Sequence, residues 1–147
     1  MASARGKRPV TPILVDTGFL VALYNRREPM HRRCVEIYET LEGPFVTCEA
    51  CITEALHLLN HASTAVDGLL SSIEQCALEI PFRLGNHAAQ VREVMSKYRD
   101  TPADFADACL VHLADELNTG DILTLDSDFA HYRWRRNRSF KLLIPLD

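Results

Sequence analysis

Several carboxylates in this chain stand where helices and strands ordinarily carry apolar side chains. In Thr101-Pro102-Ala103-Asp104-Phe105-Ala106-Asp107-Ala108-Cys109-Leu110-Val111-His112-Leu113-Ala114, two aspartates three residues apart interrupt an apolar helical pattern. Read as a helix with Thr101 as N-cap and Pro102 at the first helical position, the stretch puts Asp104 third, where a carboxylate reaches back to the cap. Asp107 then falls a turn further in, beyond capping reach, in front of an Ala-Cys-Leu-Val run that reads as buried wall. Residues three apart share a helical face, so each carboxylate raises the cost of ionising the other unless a cation sits between them.

Three further acids bear on the same question. Asp16 follows the apolar run Pro12-Ile13-Leu14-Val15, and Asp126 follows Asp121-Ile122-Leu123-Thr124-Leu125. Glu54 lies in a third apolar segment, with Ala50 and Leu58 one turn away on either side. Each has a structural explanation when taken alone: Asp16 as a helix cap, Asp126 and Asp128 as turn residues, Glu54 as a surface acid. Taken together, four or five carboxylates at one place require cations, and hard oxygen ligands suit Mg²⁺ or Mn²⁺ rather than zinc. No Gly-rich phosphate loop and no side-chain nucleophile accompanies them. The chemistry that fits is metal-activated water attacking a phosphodiester, with cations stabilising the attacking and leaving oxygens.

The elements that must position these groups alternate along the chain. Strands are expected at 12–16, 45–47, 77–80, 121–125 and 140–144. Helices are expected at 17–24, 29–41, 49–61, 64–76, 86–98 and 102–117, the last closed by Asn118-Thr119-Gly120. In the 86–98 helix, Ala89, Val91, Val94 and Met95 are expected to face inward. The run at 12–15 lacks polar alternation, as befits a central parallel strand covered on both faces. Alternation without repeats or low complexity predicts an α/β domain with a mostly parallel sheet, whose ligands gather beyond the C-terminal strand ends.

Composition narrows the class. A chain of 147 residues with 47% hydrophobic content is most simply one domain with a real core, expected over 12–147 behind a basic tail at 1–11. A mean hydropathy of −0.08 and the lack of an apolar run of about 18–20 residues point away from a membrane and to the cytoplasm. Five cysteines without an export signal are expected to be reduced, and Cys48-x-x-Cys51 lacks the partners of a zinc site. Net charge is −4, yet Arg5, Lys7 and Arg8 cluster at one end and Arg133, Arg135, Arg136, Arg138 and Lys141 near the other. These clusters read either as solvated surface or as a phosphate-facing rim. His112 reads as packed or solvated, and His31, His57, His61, His87 and His131 form no recognisable metal or triad spacing.

Four stretches in order resemble the PIN-domain family, the nuclease fold shared by many VapC-type toxins of toxin–antitoxin pairs. They are Ile-Leu-Val-Asp16-Thr-Gly-Phe-Leu-Val-Ala-Leu, Thr53-Glu54-Ala-Leu, Pro-Ala-Asp104-Phe-Ala-Asp107-Ala-Cys-Leu-Val, and Ile-Leu-Thr124-Leu-Asp126-Ser-Asp-Phe129. The resemblance implies a three-layer α/β/α sandwich around a five-stranded parallel sheet and a Mg²⁺- or Mn²⁺-dependent ribonuclease. It implies Asp16 and Asp107 as chief metal ligands, and Glu54 binding metal through water or orienting the attacking water. Asp104 and Asp126 adjoin them, with Thr124 as a site hydroxyl. It further implies an RNA substrate, a homodimer and a cognate antitoxin that pushes a basic side chain into the acidic pocket. Many relatives carry Asn or Ser two residues after the first Asp; here Gly18 stands there, and Thr17 is the candidate substitute.

Two other readings compete. A HAD-type phosphatase would need a second Asp where Gly18 stands. A catalytically silent RNA- or protein-binding module could instead use the acidic pocket as a docking site for a basic partner.

Overall fold

The computed structural model describes residues 10–101 and 103–145. Most of the expected tail, residues 1–9 with its basic cluster, lies outside the described residues, as do Pro102, Leu146 and Asp147. Strands β1 (Ile13–Val15), β2 (Phe45–Val46), β3 (Leu78–Glu79), β4 (Asp121–Leu123) and β7 (Lys141–Leu142) form a five-stranded sheet in the order β3-β2-β1-β4-β7. Every pairing in it is parallel. Strand β5 (Arg133–Trp134) and β6 (Arg138–Ser139) make a separate antiparallel hairpin. Six α-helices complete the described chain: α1 (Thr17–Tyr24), α2 (His31–Glu39), α3 (Glu49–Leu58), α4 (Ser63–Glu74), α5 (Ala88–Lys97) and α6 (Phe105–Leu117).

Side-chain alternation on the short strands splits the interior in two. Leu14, Val46 and Ile122 face one core with α5, α6 and the aromatic set Phe129, Tyr132, Trp134 and Phe140. Ile13, Val15, Phe45, Leu78 and Leu123 face the other, with α1, α2, α4 and most of the apolar side of α3. Both faces of the sheet are therefore covered, which is the three-layer α/β/α arrangement. Among the described residues no helix is long and apolar enough to cross a membrane.

Several boundaries differ from expectation for identifiable reasons. Helix α6 starts at Phe105, with Asp104 itself as N-cap rather than Thr101; its extended backbone (φ −74°, ψ 178°) lets the carboxylate accept from the N–H of Asp107 at 2.8 Å. Asp104 is thus a cap and not a third-position acid, and Asp107 is the third-position residue, within capping reach. At the other end the helix closes within the expected Asn118-Thr119-Gly120, and Asn118 takes the left-handed cap (φ 54°, ψ 48°). Gly120 answers a different need, since a Cβ there would collide with the Trp134 indole. On α5 only Val91 is fully buried; Val94 is half-buried, whereas Ala89 and Met95 are exposed, because that helix shows the core a narrow stripe. The β5–β6 hairpin replaces the expected loop: Trp134 pairs with Arg138, and Arg135 and Arg136 both adopt positive φ (41° and 71°) in the turn.

Candidate active site

The sheet order places β1 beside β4, with β2 and β7 on their outer sides, so the order in which successive strands are added reverses at the β1/β4 pair while the strands themselves stay parallel. In open α/β sheets the crevice beyond the C-terminal ends at such a reversal is where ligands bind. Asp16 leaves β1 there and Thr124 and Asp126 leave β4 there. The strands stop at Val15 and Leu123 because the next residues turn their polar groups onto one another.

Asp16 is buried, with 6% of its surface exposed, and caps α1 by accepting from Thr17 N–H at 2.8 Å through Oδ1. Its Oδ2 accepts from the Thr124 hydroxyl at 2.7 Å, and the Thr124 oxygen in turn accepts from Asp126 N–H at 3.0 Å. One buried hydroxyl therefore ties the ends of β1 and β4 together. Asp126 Oδ1 accepts from Asp128 N–H at 2.9 Å, starting a 3₁₀ turn over Ser127–Ala130. The cap and the Asx turn foreseen as innocuous explanations are both present, and each uses one oxygen while the residue still faces the crevice.

Asp107 reaches the same place from the first turn of α6. It is buried at 8% exposure and accepts from the Tyr132 hydroxyl at 3.2 Å through Oδ2. Carboxylate oxygens of Asp16, Asp107 and Asp126 all lie within 4.8 Å of one another. Burial pushes Asp107 up to about 7, helped by the negative charges of Asp104, Asp16 and Asp126 and opposed by the Tyr132 hydrogen bond. Burial likewise raises Asp16 to about 6, against the lowering effect of its bonds from Thr124 and Thr17. Two acids that resist ionisation, facing a third, form a pocket short of positive charge.

Glu54 and Asp104 border that pocket without joining the tight triad. The cavity, about 430 Å³, is lined by Asp16, Thr17, Gly18, Glu54, Asp104, Asp107, Leu125, Asp126 and Ser127. Glu54 is exposed in the second turn of α3, whose buried stripe is Cys51, Ile52, Ala55 and Leu59; Leu58, expected in that stripe, is exposed instead. The Thr17 hydroxyl donates to Glu54 Oε1 at 3.0 Å and so holds the exposed acid over the crevice. All six sequence-identified residues, Asp16, Glu54, Asp104, Asp107, Thr124 and Asp126, thus meet at one edge of the sheet. Tyr132, seven residues past Leu125 in an unremarkable loop, escaped the sequence reading; its only signal is aromatic content, and its link to Asp107 exists only in three dimensions.

The donor set is all oxygen, acidic and confined to one crevice, which fits a hard divalent cation and excludes nothing among Mg²⁺ and Mn²⁺. The thiols nearby do not change that choice. Cys48 and Cys51, at the start of α3, are fully buried with their sulfurs 3.5 Å apart, and all five cysteines are free, as their expected reduced state requires.

Comparison with known proteins bears on the whole arrangement. A family model described as PIN domain matches residues 13–135. Ribonuclease VapC26 of Mycobacterium tuberculosis is 30% identical over 118 residues, spanning 78% of this chain and 86% of that protein. Among solved structures, that of Mycobacterium tuberculosis VapC20, described as a sarcin-ricin loop cleaving toxin, superposes with a TM-score of 0.73. The likeness spans 81% of this chain and 93% of that one at 18% identity, so it speaks for the fold.

Proposed function

Since the chain belongs to the PIN-domain family, we propose that it is a VapC-type ribonuclease that hydrolyses RNA phosphodiester bonds at the acidic crevice, as the toxin of a toxin–antitoxin pair in the cytoplasm. The observation that carries this reading is the convergence of Asp16, Asp107 and Asp126 at the β1/β4 reversal, with two of the three reluctant to ionise. Residues 12–147 act as a single nuclease domain.

In this reading Asp16, Asp107 and Asp126 would hold Mg²⁺ or Mn²⁺, with Glu54 and Asp104 completing its surroundings. When bound, the cation supplies positive charge that lowers the pKa of water and neutralises phosphate oxygens. The protein does the rest by position. Thr124 holds Asp16 Oδ2 and the Thr17 N–H holds Oδ1, which fixes the plane of the carboxylate at the crevice. The Tyr132 hydroxyl holds Asp107 Oδ2. Glu54, steadied at Oε1 by Thr17, orients the attacking water with its other oxygen and receives its proton. Thr17 in this way replaces the polar residue that Gly18 lacks. Asp104 holds the first turn of α6 and adds charge at the rim.

Arg133, Arg135 and Arg136 follow directly on Tyr132 and supply phosphate contacts for RNA. Arg136 is best placed to do so, because Arg133 is engaged with the Ala130 and Tyr132 carbonyls and Arg135 with the Asp115 carbonyl. A cognate antitoxin would insert a basic side chain among the same carboxylates, and the toxin would act as a homodimer.

The test is cleavage of a panel of RNAs, including tRNA, single-stranded RNA and a sarcin-ricin stem-loop, with Mg²⁺ or Mn²⁺ and after chelation. Cleavage should need the cation and vanish in Asp107→Asn while the fold persists. Cleavage that survives in that variant overturns the mechanism; no cleavage across RNAs and metals favours a docking module. Light scattering settles the homodimer, and co-expression with the product of a neighbouring small reading frame tests the antitoxin.

A further inference from the structure

On the flank of α6 away from the acidic crevice, three metal-binding side chains converge. His112 Nε2 lies 3.0 Å from His87 Nδ1, and Glu116 Oε1 lies 3.5 Å from the first nitrogen and 3.6 Å from the second. His112 and Glu116 are one helical turn apart on α6, while His87 immediately precedes α5. The Phe82 ring packs against both imidazoles, at 5.5 Å from His87 and 5.8 Å from His112, and fixes their direction.

We propose that His87, His112 and Glu116 form a second metal site, selective for Zn²⁺ or a similar borderline divalent ion and separate from the acidic crevice. The first argument is geometric. Ligands about 2.0–2.1 Å from a tetrahedral Zn²⁺ stand roughly 3.3–3.4 Å from each other. The observed triangle of 3.0, 3.5 and 3.6 Å lies within a few tenths of an ångström of one face of such a tetrahedron.

The second argument counts protons. With both rings neutral, one inward N–H can link the two nitrogens, and the carboxylate oxygen then has no proton of its own to accept. A divalent cation satisfies all three groups at once.

The third argument is selectivity. Two imidazoles and one carboxylate prefer Zn²⁺, Ni²⁺ or Cu²⁺, whereas an all-carboxylate pocket prefers Mg²⁺ or Mn²⁺. His112 is five residues beyond Asp107, about 7–8 Å along the helix and turned by roughly 140°. The two sites therefore share a helix but no ligand. Glu116, whose side chain is 47% exposed, leaves the fourth position to water. Bound there, Zn²⁺ would pin the start of α5 to the C-terminal half of α6 and brace the helix that carries Asp104 and Asp107. The proposal does not depend on ribonuclease activity.

The full-length chain carrying Asp107→Asn, which weakens the acidic crevice, is titrated with Zn²⁺ by calorimetry and by thermal unfolding, under a non-chelating reductant. One equivalent should bind and raise Tm by about 5–10 °C once Zn²⁺ stands roughly 100-fold above its dissociation constant. Millimolar Mg²⁺ should not displace it. His87→Gln and Glu116→Gln, at partly exposed positions, should keep the Tm of the parent in chelator. Each should weaken Zn²⁺ binding by at least about 100-fold, because even losing an outer partner of a metal ligand costs about 10–100-fold. Unchanged affinity in both variants, absence of Zn²⁺ binding, or displacement by Mg²⁺ overturns the proposal. So does a thiolate charge-transfer band with Co²⁺, which would assign the ion to Cys48, Cys51 or Cys109.

Discussion

Asp107→Asn should make the metal-free protein more stable at alkaline pH while removing its activity. In the folded chain the Asp107 carboxyl is pushed up to about 7 from an ordinary 3.8, chiefly by burial and then by the charges of Asp104, Asp16 and Asp126. A carboxyl whose pKa is raised by folding binds its proton more tightly in the native state than in the unfolded one. Its contribution is therefore destabilising above about pH 7 and is relieved as the pH falls from about 7 towards 4. A shift of this size corresponds to at most about 4 kcal/mol of penalty at pH 8. Asparagine has the same shape, still offers an oxygen to the Tyr132 hydroxyl and carries no charge at any pH. With relaxation around the site, the expected gain at pH 8 is about 2–4 kcal/mol, or roughly 5–15 °C in Tm for a chain of this size. The assay is thermal unfolding by circular dichroism in chelator from pH 4.5 to 8.5, on both proteins. The two curves should lie closest near pH 4.5, separate progressively between about pH 4.5 and 7, and run parallel above that. Adding Mn²⁺ should close the gap from the other side by stabilising only the parent protein. A variant no more stable than the parent at pH 8, or a difference independent of pH, would refute the electrostatic account of the crevice.

Thr124→Val, nearly isosteric, leaves Asp16 Oδ2 and the Asp126 N–H without their shared partner and should cost about 1–3 kcal/mol in stability, read by urea denaturation. It should also raise Asp16 further, so that Mn²⁺ binding at pH 6.5 weakens; equal affinity by calorimetry would count against that bond. Tyr132→Phe removes the one bond that lowers Asp107 and should shift the cation-dependent rise in cleavage to higher pH, with affinity for Mn²⁺ down about 10-fold. Replacing Arg133, Arg135 and Arg136 with Gln should reduce the slope of log affinity for single-stranded RNA against log salt by up to about 2, at about 0.7 per phosphate contact. An unchanged slope would place the RNA path elsewhere. Asp104→Ser should leave Tm in chelator within about 1 °C of the parent, because serine caps a helix as well as aspartate does, while weakening Mn²⁺ binding through the lost charge.

How much of this was legible depended on whether the cause was local. Helix α1 matched its expected limits because Asp16, which caps it, and the apolar stretch behind it are contiguous in sequence. The parallel sheet was legible from alternation of element types, and the crevice from acids placed at strand ends. The start of α6 differs from the sequence expectation because Thr-Pro before Ala-Asp offers two capping choices, and only the backbone at Asp104 decides between them. The β5–β6 hairpin was illegible for a different reason. Its turn carries Arg135 and Arg136 at positive φ, where Asn and Gly are the recognisable residues, and what holds it lies far off in sequence: Asp115 accepts from Arg135 N–H at 2.6 Å. Tyr132 and the His87–His112–Glu116 cluster share that character, since each joins residues 25 positions apart.

These long-range links also explain how the chain tolerates its crevice. Asp16 and Asp107, buried beside a third acid at the end of a sheet, oppose folding at neutral pH, so the surrounding structure must hold them against repulsion. Helix α6 does most of this. Every residue from Ala106 to Ala114 is buried, and that wall fixes Asp107 at its N-terminal end regardless of charge. The end carrying Asp107 also presents free N–H dipoles, and Asp104 occupies one of them. On the opposite side the Thr124 hydroxyl adds a side-chain tie between two strand ends that the backbone bond from Asp16 N–H to the Leu123 carbonyl already joins. Rigidity bought from packing is what lets the carboxylates stay close together while still turned towards solvent. A cation held as proposed by Asp16, Asp107 and Asp126 would find these carboxylates already gathered, and its binding would release the proton from Asp107 rather than reorganise the fold.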